Sequence, residues 1–160
     1  MSYNLIKALH ALAAIAATGP LLFAPWLSAR LKNSRAENAT LLLQGLEVTD
    51  RYYNIAGWIL MLSGIGMFWL NDWHRLFQIW FLLSVVIFVI DSLAEKRLRD
   101  PAISTLTKSH PSNDDWTHAS ERLHKAVLIQ MVSTAAIVVI MLLHSLLDIN
   151  MLNIIPFYQR

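Results

Sequence analysis

A chain of 160 residues has room for one domain, and its balance is wrong for a soluble one: 56% of residues are hydrophobic and only 15% charged, where soluble domains carry slightly under half and about a quarter. The sequence has no cysteine, which excludes disulfides, thiolate metal sites and cysteine nucleophiles. A formal charge of +2 is too small to point to nucleic acid.

A bilayer core about 30 Å thick needs roughly 20 mainly apolar residues at 1.5 Å each. Four stretches qualify, at 5–27, 52–70, 76–93 and 126–147. They lack period-two alternation, and backbone groups in lipid must be satisfied within the segment, so each reads as a helix. No basic leader or small-residue cleavage site precedes the first run, which therefore reads as a permanent span. Within it, Ala13 and Ala17 have small-xxx-small spacing. Gly19-Pro20 predicts a kink, because Pro20 cannot bond to the Ala16 carbonyl. In the link to the second run, Ser34 with Glu37 fits a capping box and Glu47 with Arg51 has ion-pair spacing. Helix two is thus expected to start near Ser34 and project beyond the membrane, with Gly57 and Gly64 on one packing face. The polar turn 71–75 makes helices two and three antiparallel neighbours. Helix three is expected to run past the bilayer through Glu95-Lys96-Arg97-Leu98-Arg99 and stop at Asp100-Pro101, with residues 101–112 as loop. Asp114 and Asp115 then open a polar turn that flows into helix four.

Basic residues orient the bundle. Ten of the thirteen lie in the two long connections, and only Lys7, Arg75 and Arg160 lie on the other side. The positive-inside rule places the connections in the cytoplasm and both termini outside. Tyr3, Trp69 and Trp73 fall at the outer interface, and Trp26, Tyr52, Tyr53 and Trp116 near the inner one. The expectation is a single all-α domain over 1–160: an integral membrane four-helix bundle, N-out and C-out, with cytoplasmic extensions of helices two, three and four.

An ionisable residue inside a span points to function by default. His10 in helix one and His144 in helix four sit roughly 5 to 8 Å inside their helix ends on the same side. Two imidazoles facing across a bundle are suited to bind haem iron, and bundle cores host such cofactors. The competing reading places each ring at the headgroup interface. His118, Glu121 and His124 are candidate metal ligands by type, but at 100° per residue the two histidines diverge by roughly 120°. They read as a solvated helix start. Asp91 is the one acid well inside an apolar run. It reads either as a proton-relay group or as the partner of a basic residue such as Arg51 or Arg97.

Leu5-Ile6-Lys7-Ala8-Leu9-His10, Arg51-Tyr52-Tyr53-Asn54-Ile55 and Glu95-Lys96-Arg97-Leu98 carry a resemblance. The chain resembles a bacterial family of small predicted integral membrane proteins of unknown function, and is more distantly similar to the HemJ-type membrane protoporphyrinogen oxidase. The resemblance implies a shared bundle, with His10 as the first-helix histidine and Arg51 as the basic residue at the mouth of helix two. Ile79 and Phe81 stand where the oxidase type has a histidine and a lysine, and Leu123-His124-Lys125-Ala126 stands where it has Asn-Glu-x-Pro. A bound porphyrin would then take its second ligand from His144. Three functions follow as expectations. The first is an accessory or helper subunit of a bacterial inner-membrane complex, whose partners are the bilayer, other membrane subunits or further copies of the chain. The second is a haem b or porphyrin-binding redox protein using His10. The third is a small transporter or metal-handling protein.

Overall fold

The computed structural model describes residues 2–34, 36–70, 74–108 and 114–143. Among the described residues five α-helices follow one another: α1 (Ser2–Lys32), α2 (Ala36–Trp69), α3 (Ile79–Ala94), α4 (Asp100–Lys108) and α5 (Asp114–Leu142). A single 3-10 turn (His74–Phe77) precedes α3, and a π-helical stretch (Glu95–Arg99) joins α3 to α4. Among the described residues there is no strand. The helix ends carry the charges that suit the helix dipole. Arg30 and Lys32 close α1, Asp100 opens α4 and Lys108 closes it, and Asp114 and Asp115 open α5.

α1 packs against both α2 and α5, and α3 packs along α5. Side-chain contacts set antiparallel registers. On α1 and α2, Leu27 faces Gly45, His10 faces Gly64 and Ile6 faces Gly66. On α1 and α5, Ser28 bonds to His124 and Lys32 to Glu121. α2 and α3 run antiparallel as expected, linked by the edge-to-face pair Phe68–Phe81 at 4.7 Å. Along its length, however, α3 leans on α5 rather than on α2.

The bundle is packed in two different ways. Toward the end that holds α4, a compact apolar core gathers Leu31, Leu46, Leu106, Trp116, Leu123 and Val127, with alanines between them. Toward the other end the buried positions are small: Ala13, Ala17, Ala56, Ser63, Ser84 and Ser133. Small residues let helix backbones approach where lipid supplies no hydrophobic drive between helices. The Ala13/Ala17 spacing does take part in this packing. Gly64 does too, but a side chain at Gly57 would meet open space.

Several local expectations are corrected. Helix does not stop at Asp100-Pro101: α4 occupies Asp100–Lys108, most of the expected loop. The π-stretch gives the reason. The Asp100 N–H bonds to the Glu95 carbonyl, five residues back, and Pro101 falls in the first turn of α4, where a missing N–H costs little. The Ser34 hydroxyl donates back to the Leu31 carbonyl at 2.9 Å, and the Glu37 side chain of the expected capping box lies outside the described residues. α1 is helical from Ser2 to Lys32 with both Pro20 and Pro25 inside it. Two helices, Tyr3–Lys32 and Asp114–Leu142, are long and apolar enough to cross a membrane. α2 has the length, but Tyr52, Tyr53, Asn54 and its glycines dilute its apolar run, and α3 is 16 residues long.

Candidate functional site

The structure divides the expected site residues. His10 is half-buried, and its Nδ1 lies 2.8 Å from Ser63 Oγ. The Ser63 hydroxyl also lies 2.6 Å from the Ile59 carbonyl and 3.1 Å from the Leu60 carbonyl; when it donates there, its oxygen accepts the Nδ1–H of the ring tautomer that leaves Nε2 unprotonated. His144 lies outside the described residues. Arg51 is exposed and forms no ion pair with Glu47 among the described residues. Of the histidines expected on the cytoplasmic side, His118 is exposed, and His124 Nδ1 bonds to Ser28 Oγ at 2.8 Å. Glu121 pairs with Lys32 at 3.1 Å, a contact that holds its carboxyl below the usual range. These three do not converge, and the described residues hold no group of three or more metal-ligating side chains.

Asp91 is buried, as its place in the apolar run implies, but neither Arg51 nor Arg97 reaches it; both are exposed. The charge nearest to it is Arg99. That side chain is 4% exposed, an unusual state for arginine. It ion-pairs with Asp50 of α2 and donates from Nη1 to Gln130 Oε1 of α5 at 3.2 Å. Tyr53 of α2 brings its hydroxyl to 3.4 Å from Asp91 Oδ2 and 3.1 Å from Thr134 Oγ1. Asp91, Glu95, Arg99, Ala126 and Gln130 line one small cavity. Three helices thus meet at a polar knot between the apolar core and the small-residue half. Asp91, Glu95 and Arg99 recur at steps of four, which is the sequence signal for this face. Arg99 was hidden among the charges of a segment expected to be a solvated extension. Asp50 sits beside the more prominent Arg51, and nothing in the sequence marked it.

Electrostatics at the knot strain the acids. Burial pushes the Asp50 carboxyl above the usual range; Asp100 and Glu47 add to this, and Arg99 opposes it. Glu95 is also raised, first by burial, with Asp50, Asp100 and Asp91 adding and Arg99 opposing. The folded chain therefore holds the Glu95 proton more tightly than the unfolded chain does. Stability contributed at low pH is lost as pH rises from the ordinary carboxylate range through the raised value. Glu95→Gln is expected to unfold at a higher temperature than wild type above that window and to match it below, which thermal unfolding at a series of pH values measures.

These features define a class: an all-helical bundle with two helices of membrane-span character and a buried carboxylate–arginine knot. Comparison with protein families, with curated proteins and with solved structures found no match to this chain.

Proposed function

We propose that the chain is a four-span integral protein of a bacterial inner membrane, with both termini outside, serving as an accessory or helper subunit of a larger membrane complex. The observation that carries this reading is the apolar surface left open on all four long helices. Leu22 is 71% exposed, Leu62 63%, Phe88 54% and Val132 61%, amid many similar neighbours. Soluble monomers rarely expose apolar patches beyond a few hundred Å². The antiparallel registers carry α2 and α3 across the same depth as α1 and α5. The basic connections favour the cytoplasmic side for the α4 end. Polar side chains inside the bundle bond to one another between helices: His10 to Ser63, Ser28 to His124, Tyr53 to Thr134, Arg99 to Asp50 and Gln130. What the bundle presents outward is apolar face, the material of contacts with lipid and with other helices. Extraction in the mildest detergent, followed by size analysis, is expected to give an assembly larger than the detergent-bound protomer. A lone protomer under those conditions contradicts the helper role.

A second reading, a haem b or porphyrin site at His10, is favoured by one geometric fact. The contact of Nδ1 with Ser63 orients the imidazole, and in the tautomer that donates from Nδ1 it leaves Nε2 free for ligation. Haem, when bound, would supply one-electron chemistry; this chain's part is the ligand, held by Ser63. Oxidised and reduced absorption spectra of protein made under haem-replete conditions test it. The reading requires a Soret band that His10→Ala removes; no band, or one unchanged by that substitution, rejects His10 as the ligand.

A further inference from the structure

We propose that Asp91 and Glu95 share one bound proton, making the knot between α2, α3 and α5 a proton-binding site. Asp50, Asp91 and Glu95 surround a single buried guanidinium, so full ionisation would leave two negative charges in excess around it, with Asp91 buried and Asp50 and Glu95 partly so. Asp50 takes the ion pair with Arg99, which leaves Asp91 and Glu95 without a cation of their own. The other titratable groups facing the knot do not supply one: Glu47 and Tyr53 come from α2 and Asp100 from α4, while α5 contributes the uncharged Gln130 and Thr134.

A second observation points the same way. Asp50 Oδ1, Asp91 Oδ1 and Arg99 Nε are buried without a hydrogen-bond partner, but Asp50 Oδ1 is in ion-pair contact with Arg99 Nη1 and Asp91 Oδ1 has no such contact. An ionised carboxylate oxygen left bare in such a site is among the costlier arrangements in a protein, whereas a protonated one is not. The cavity joining Asp91, Glu95, Arg99 and Gln130 has no room for a water molecule. A proton bound between the two carboxyls neutralises the excess charge without needing a water molecule in that cavity. Two carboxyls at adjacent turns of one helix, near one arginine, titrate as a coupled pair rather than separately. The site is independent of which partner or cofactor the protein serves.

Infrared difference spectroscopy of the whole protein between neutral and alkaline pH tests this. The carbonyl-stretch band of a protonated carboxyl is expected at neutral pH and lost in alkali. Either Asp91→Asn or Glu95→Gln is expected to abolish it, since removing one negative charge removes the need for the proton. Glu121→Gln, at the exposed pair with Lys32, is expected to keep it. No band in wild type, a band that survives either knot substitution, or one that vanishes in Glu121→Gln overturns the proposal. Carboxyl ¹³C shifts of selectively labelled wild-type protein decide the matter should a variant fail to fold. A shared proton moves Asp91 and Glu95 together in one coupled step, and independent steps contradict it.

Discussion

Replacing Arg99 with methionine is expected to destabilise the bundle by about 3–5 kcal/mol, the usual consequence of stripping one partner from a buried ion pair. Methionine has a similar length, so the loss is mainly electrostatic. Asp50 would remain inside with no cation, and Gln130 would lose the donor at its Oε1. The same argument predicts rescue. Asp50→Asn combined with Arg99→Met removes the stranded charge and is expected to recover at least half of the loss. Denaturant unfolding of wild type, both single variants and the double variant measures the coupling. Additive losses would mean that the two side chains are neighbours without being partners.

The second large effect is expected at Leu62, which is 63% exposed in the part of α2 that the four-span reading sets in lipid. On a soluble protein, lysine at such a position would be harmless, since exposed substitutions usually stay within about 0.5 kcal/mol. Facing lipid, a charge near the centre of a span costs about 2.5–3.5 kcal/mol on insertion scales. Leu62→Lys is therefore expected to reduce membrane insertion severely, whereas Gln44→Lys, exposed in the inner part of the same helix, is expected to insert normally. The fraction of each variant resisting alkaline carbonate extraction is the readout. Equal behaviour of the two would place Leu62 in water or against protein.

The long apolar runs made the helices legible in the sequence, because hydropathy reports burial in any apolar medium. The starts of α2 and α5 fell where polar residues give way to helix signals. α4 was missed because Pro101 reads as a terminator. The π-stretch that moves it into a first turn depends on backbone bonding that residue type does not reveal. The glycines of α2 show a similar limit: spacing put Gly57 and Gly64 on one face, yet only Gly64 meets a neighbour, because which face turns inward is decided by the partner helix. At the site, Asp91 stood out as a carboxylate in an apolar run. Its companions did not. Arg99 looked like one more charge in a basic stretch, and Asp50 like a helix-surface acid, until three helices brought them together. His10 stood out as a histidine inside an apolar run; Ser63, which contacts its ring, is 53 residues away, and no local pattern connects them.

The central claim is a four-span bundle with the α4 end in the cytoplasm, and the absence of native cysteine allows a direct measurement. Single cysteines at Asn4, exposed near the start of α1, and at Ser104, exposed on α4, can be treated in intact cells with a thiol reagent that does not cross the membrane. Labelling of Asn4→Cys in intact cells, with Ser104→Cys labelled only after the membrane is opened, is the result the account predicts. Labelling of Ser104→Cys from outside, or of both sites only in a soluble fraction, would contradict it.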